Sequence, residues 1–139
     1  DASPLVDAIR NAVPEAQAIY LFGSAARGDA GPESDIDLAL LAPRALASRA
    51  RWEIQERLAV LAHRNVDLVD LRETSAVMRV NVLDDGQLLL DAAPYERALF
   101  EATALADYAR LQEERREILE QIAEKAVSTA DVARNKAAI

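Results

Sequence analysis

The sequence predicts an α+β domain: a small mixed sheet of about four strands covered by helices, with a long C-terminal helix. Three observations carry this. Four short runs, Ala18–Phe22, Asp35–Leu41, Asn65–Leu71 and Gln87–Asp91, are apolar enough to be strands. Segments with helical spacing alternate with them. After Pro94 one uninterrupted helical segment can run from Tyr95 to about Lys125.

Taken in order, Leu5, Val6, Ile9 and Val13 have helical spacing, and Pro14 ends that helix. The first strand, AIYLF, stops at Gly23-Ser24, and RGDAGPES (Arg27–Ser34) reads as a loop. Asp35–Leu41 forms the second strand, with its two aspartates on one face. Ala45–Ala62 is a helix whose stripe holds Leu46, Ala50, Ile54, Leu58 and Leu61, with Trp52 expected to pack, an exposed Trp52 instead suggesting a partner surface. His63 closes it in a structural role, where a cation suits the helix C-terminus. Asn65–Leu71 is the third strand, Ser75–Leu83 a short helix stopped by Asp84-Asp85-Gly86, and Gln87–Asp91 the fourth strand. Pro94 opens the last helix, which is expected to reach about Lys125 before a fraying tail, Val127–Ile139. The helices are expected on one face of the sheet, with Tyr20 in the core and Tyr108 at the core or an interface.

At 139 residues the chain has room for one domain. It has no cysteine and a single histidine, His63, which excludes disulfides, thiolate sites and His-rich metal sites. With 24 acidic against 16 basic residues and a net charge of −8, it is expected to make no direct contact with nucleic acid. No apolar run is long enough for a membrane span, and Asp1–Pro4 shows no secretory leader, so the cytoplasm is the expected compartment.

The residues that carry chemistry are Gly23, Ser24, Asp35 and Asp37. Gly23 permits a sharp turn and close approach to a ligand. Ser24 opens a helix whose free N–H groups favour an anion such as a triphosphate. Asp35 and Asp37 point the same way and repel each other unless a cation lies between them, and Mg²⁺ is the natural one beside phosphates. Arg27 is placed to meet phosphate oxygens. A third carboxylate would complete a two-metal site. Asp67 and Asp70 are the candidates; they face opposite sides of the sheet, and Asp67 is favoured, Asp70 reading as a solvated or capping residue. Four such fixed positions match by chance in about one window in 10⁵.

Gly23-Ser24, ten intervening residues and Asp35-Ile36-Asp37 resemble the signature of the nucleotidyltransferase superfamily related to DNA polymerase β. LFGSAARGDAGPESDIDLALL and NVDLVDLRETS are similar to the minimal nucleotidyltransferase (MNT) branch, over about Leu5–Asp91. The long helix after DDGQLLLD is most like the MNT antitoxins of HEPN/MNT toxin–antitoxin modules. The resemblance implies the nucleotidyltransferase fold, with residues 1–93 as the minimal domain and 94–139 as a helix and tail of the same single domain. It implies a Mg²⁺-dependent enzyme that moves AMP from ATP onto a tyrosine of a partner HEPN ribonuclease toxin, within a hetero-oligomer. Gly23 and Ser24 would then hold the β- and γ-phosphates and Arg27 would add a phosphate contact. Asp35 and Asp37 would bind Mg²⁺, and Asp67 would complete the metal site and help deprotonate the attacking hydroxyl.

Two alternatives stay open at this stage. One is nucleotide transfer to a small hydroxyl compound of the aminoglycoside type, for which the chain has no acceptor-binding domain. The other is an antitoxin that acts by binding alone, against which three clustered acids argue. Glu113–Glu117 reads as a solvated, salt-bridged helix face, while Leu111, Ile118, Leu119 and Ile122 form apolar surface that calls for a partner if the helix projects.

Overall fold

The computed structural model describes residues 1–31 and 33–138; Pro32 of the expected loop and Ile139 of the expected tail lie outside them. The element order is α1 (Ser3–Ala12), β1 (Ala18–Phe22), α2 (Gly23–Arg27), β2 (Ile36–Leu41), α3 (Ser48–Ala62), β3 (Val66–Asp70), α4 (Ala76–Asp85), β4 (Gln87–Asp91) and α5 (Pro94–Ala138). The four strands form one mixed sheet in the order β3-β2-β1-β4. β1 runs antiparallel to both β2 and β4, and β2 and β3 are parallel, joined by the α3 crossover.

Helices cover both faces of this sheet, not one. Ile19, Leu38, Leu40, Val66 and Leu68 pack with Leu5 and Ile9 of α1 and with Ile54 and Leu58 of α3. On the opposite face Tyr20, Phe22, Ala39 and Leu41 pack with Val82 of α4 and with Phe100 and Ala104 of α5. The physical reason is visible in the strands: AIYLF and LALL are apolar at consecutive positions, the pattern of strands buried on both sides. Within β2, Leu38, Ala39, Leu40 and Leu41 are all buried.

The outer edge of β3 is closed by side chains of α3. Gln55 accepts a hydrogen bond from the Leu68 N–H at 2.9 Å, and Arg51 donates to the Leu68 carbonyl at 3.1 Å. These bonds satisfy edge groups that would otherwise be open to pairing with another chain.

Two side chains of α3 depart from expectation. Trp52 is 54% exposed because it lies ~200° around the helix from Ile54, away from the stripe that meets the sheet. Leu61, in the last turn, is also exposed. Ser75 caps α4 by accepting a hydrogen bond from Met78 N–H at 3.1 Å.

The first turns of α5 are tied to the sheet by a polar chain. Tyr20 donates to Glu101 at 2.8 Å, Arg97 pairs with Glu101 at 3.2 Å and with Asp91 at 2.7 Å. Burial and the Glu101 carboxylate push the Tyr20 phenol well above its ordinary value. Arg72 and Arg79 both lie over the Phe100 ring, at 5.1 and 5.6 Å from its centroid.

A second compact unit begins at Leu105. It is helical through Ala138, so Val127–Ala138 continues α5 rather than fraying. That stretch is rich in alanine and has no proline or glycine to stop a helix. Arg116 pairs with Glu113 at 2.6 Å, which bears out the salt-bridged face. Leu111, Ile118, Leu119 and Ile122 are exposed, and Tyr108 is half-buried and bonded to Gln112. Among the described residues no helix is long and apolar enough to cross a membrane.

His63 ends α3 in the left-handed conformation, φ +54°, with its N–H on the Ala59 carbonyl. A side chain there costs about 1–2 kcal/mol, partly offset by the freedom glycine adds to the unfolded chain. His63→Gly is therefore expected to stabilise the protein by about 0.5–1 kcal/mol. The urea midpoint measures this; an unchanged or lower midpoint would contradict it.

Candidate active site

The site is built where β1 ends beside the start of β2. Phe22 pairs with Asp37 in the antiparallel register, so the turn that follows Phe22 is laid against the Asp37 side chain. Gly23 takes φ +70°, and α2 begins at once. A Cβ at Gly23 would collide with Asp37 Oδ2 and lie 3.2 Å from its Cγ. Any side chain there would be strained by the backbone angle and would have to displace the Asp37 carboxylate. Ser24 follows, half-buried; among the described residues its hydroxyl has no partner, while its carbonyl accepts from Gly28 and Asp29 N–H groups.

The parallel register of β2 and β3 sets Asp37 directly beside Asp67. Asp35 lies two residues ahead of Asp37, one position before the strand begins, and is exposed, as is Asp67. Asp37 is half-buried. Burial pushes its carboxyl above the ordinary value, and the charges of Asp67 and Asp35 push it the same way, while Arg27 acts in the opposite direction. Asp37 therefore feels the charges of Asp67, Asp35 and Arg27 together.

Asp70 does not join them. It is buried on the other side of the sheet, level with Leu40, so of the two expected roles, solvated or capping, the solvated one falls and the capping one holds. Its carboxylate accepts the N–H groups of Leu46 at 2.7 Å and Arg72 at 3.0 Å, so it braces the loops at the strand ends. Arg27 is near the site, but its guanidinium is held by Asp29 at 3.2 Å and Asp85 at 2.9 Å. Those hydrogen bonds, Asp29 first, hold its pKa above the ordinary arginine value.

The donor set fits a hard divalent cation. Asp37 lies in register with Asp67 and feels the like charge of both Asp67 and Asp35, with Arg27 acting against them, and like charges in this arrangement destabilise each other until a cation intervenes. Among the described residues no three such side chains close on one point tightly enough to hold a metal unaided. Mg²⁺ does not need that, since it is typically held by one or two carboxylates with water and substrate phosphates completing its shell.

Two contributions have no local signal in the sequence. Asp85, at the end of α4, is the partner of Arg27 across 58 positions. Arg64, at the start of the β3 segment, donates to the carbonyls of Ser34 and Gly31 in the loop before Asp35. Neither residue stands in a motif; only the fold brings it there.

A glycine-serine turn against paired strand carboxylates, on a small mixed sheet, defines a nucleotidyltransferase. The chain belongs to the family described as Polymerase beta, Nucleotidyltransferase, which matches residues 6–95. It is 37% identical over 118 residues to the protein adenylyltransferase MntA of Shewanella oneidensis, covering 85% of this chain and 84% of that protein. Among solved structures it is similar to a toxin–antitoxin with AMP-PNP, with a TM-score of 0.80, 36% identity and coverage of 88% of this chain and 98% of that one. It is also similar to a chain of the tri-AMPylated Shewanella oneidensis HEPN toxin in complex with MNT antitoxin, with a TM-score of 0.73, 35% identity and coverage of 86% and 93%.

The raised Asp37 carboxyl sets a pH dependence. A carboxyl whose folded value lies above its unfolded value favours the fold when protonated, and that contribution is lost as pH rises through the folded value. Asp37→Asn, measured with a chelator present, is therefore expected to raise the unfolding midpoint at neutral pH. The gain is expected to fade below about pH 4, where the native carboxyl is itself protonated. A gain that does not depend on pH, or a loss at pH 7, would contradict the charge repulsion.

Proposed function

We propose that this chain is an antitoxin that works as a Mg²⁺-dependent protein adenylyltransferase, moving AMP from ATP onto a tyrosine hydroxyl of a HEPN ribonuclease toxin. The observation that carries this reading is the seating of the Gly23-Ser24 turn against Asp37, with Asp67 in register beside it. The adenylyltransferase relative and the AMPylated HEPN toxin bound to a similar chain support the substrate and the acceptor.

In this reading Gly23 lets the backbone approach the triphosphate, and Ser24 offers its hydroxyl and the N–H groups of the α2 turn to the β- and γ-phosphates. Asp35, Asp37 and Asp67 would hold the cation. What divalent cations supply in such a site is neutralisation of charge on the entering and leaving oxygens. The tyrosine oxygen attacks the α-phosphorus in line, the bond to the bridging oxygen of the β-phosphate breaks, and pyrophosphate leaves. Asp67 helps take up the phenolic proton. Arg27 exchanges Asp29 and Asp85 for phosphate oxygens when the nucleotide arrives, an exchange between two charge-assisted arrangements of similar strength. The exposed Leu111, Ile118, Leu119 and Ile122 supply apolar contact for the toxin in a hetero-oligomer, and the use of ATP suits the cytoplasm.

The test uses ATP labelled at either the α- or the γ-phosphate, with the chain and its HEPN partner. Label from the α-phosphate is expected on the toxin, and none from the γ-phosphate. Asp35→Ala combined with Asp37→Ala is expected to reduce transfer by roughly 10³-fold or more while leaving the circular dichroism spectrum intact. Transfer retained in that double variant would overturn the site.

A further inference from the structure

Asp35 stands in an unusual position for a residue that must aim a carboxylate. It precedes β2, so no strand pairing fixes it, and it is exposed. Among the described residues its carboxylate has no hydrogen-bond partner in the protein. What fixes its backbone is the turn between α3 and β3. On one side, the Ile36 N–H donates to the Asn65 carbonyl at 2.9 Å. On the other, Arg64 donates through Nε to the Ser34 carbonyl at 2.9 Å, and through its terminal nitrogen to the Ser34 carbonyl again and to the Gly31 carbonyl at 3.1 Å. The loop adds its own closure, Gly31 N–H to Ser34 Oγ at 2.9 Å and Ser34 N–H to the Gly31 carbonyl at 3.2 Å.

Arginine is the residue that suits this task. Its planar fork reaches two carbonyls at once with little residual freedom, which a flexible lysine cannot do. Its position follows from the fold. Residue 63 reverses the chain in the left-handed conformation, and the parallel register Ile36↔Val66 then lays the start of β3 alongside the start of β2. From there Arg64 reaches back over the loop that delivers Asp35.

We infer that Arg64 is a positioning residue for the cation site: by clamping the Gly31 and Ser34 carbonyls it holds Asp35 at the angle from which its carboxylate shares the cation with Asp37. The inference rests on the proposed cation-dependent site and extends it to a residue outside the carboxylate set. Removing a group that orients a metal ligand typically costs about 10–100-fold in metal affinity.

The experiment is binding of Mn²⁺ to the full chain in the presence of a non-hydrolysable ATP analogue, followed by electron paramagnetic resonance of the free ion. Four proteins are compared: the native chain, Arg64→Ala, Asp35→Asn, and the two substitutions together. Urea midpoints are measured on each. Arg64→Ala is expected to weaken Mn²⁺ binding by roughly 10-fold. In the Asp35→Asn background the same substitution is expected to cost no further affinity, because the carboxylate it aims is gone. A loop-stabilising role alone would lower the urea midpoint equally in both backgrounds and leave Mn²⁺ affinity untouched. Arg64→Gln, which keeps one donor for the Ser34 carbonyl, is expected to fall between the native chain and Arg64→Ala; it replaces Arg64→Ala in the cycle if that variant does not fold. If Asp35→Asn weakens Mn²⁺ binding and Arg64→Ala does not, or if Arg64→Ala weakens it equally in both backgrounds, the role of Arg64 is overturned and the site stands. If Asp35→Asn itself has no effect, the cation site is overturned and the role of Arg64 with it.

Discussion

Asp37 and Asp67 face each other across a parallel strand pair, and like charges directly opposite in a sheet oppose its formation. The rest of the fold holds that pair in place. The carboxylates cannot separate without breaking the β2–β3 ladder, and the ladder is locked by apolar layers on both of its faces. Asp35 adds a like charge from the preceding loop, and Arg27 acts against both at Asp37. The site is thus electrostatically incomplete as the chain supplies it. That is the state in which a divalent cation with its phosphate ligands contributes most.

The burial on both faces explains how so small a domain sustains this arrangement. Ile19, Leu38 and Leu40 are fully buried on one side, and Ala39, Leu41 and Val82 on the other. The central strands therefore resist the displacement that repulsion at their ends would otherwise cause. The edge of β3 is secured separately by Gln55 and Arg51, so the strand that carries Asp67 is held from both sides. On β1, Tyr20 anchors the start of α5 through Glu101 and Arg97, which makes the strand leading into the Gly23 turn part of the same rigid assembly.

Much of this is legible in the residues themselves. β1 lies where its apolar run ends at Gly23 and β4 where its run begins after Gly86, and the spacing of Gly23, Ser24, Asp35 and Asp37 is a local pattern that needs no tertiary information. Strand parity shows that only one of Asp67 and Asp70 can join Asp35 and Asp37, and the structure adds what parity cannot show: the Asp70 carboxylate accepts from two backbone N–H groups. Covering of both faces was also written in the consecutive apolar residues of β1 and β2, a signal that outweighs the expectation of a one-sided layer. Trp52 and the tail were harder to read. Trp52 lies two positions from Ile54 and so off the predicted stripe, a signal that its bulk and apolar character outweighed, and a polar alanine-rich segment has the same composition whether helical or frayed. The contacts of Arg27 with Asp85 and of Arg64 with Ser34 link positions far apart in the chain, and no local pattern encodes them.

The central claim is that the three carboxylates and the Gly23-Ser24 turn take a divalent cation and a nucleotide as one unit. Thermal unfolding of the native chain with Mg²⁺ alone, a non-hydrolysable ATP analogue alone in a chelator, and the two together tests this most directly, since a ligand that binds only the folded state raises its midpoint. The account predicts that the pair raises the midpoint by more than the sum of the separate effects, and that Asp67→Asn removes the excess. An equal rise from the nucleotide in the absence of any divalent cation would contradict it.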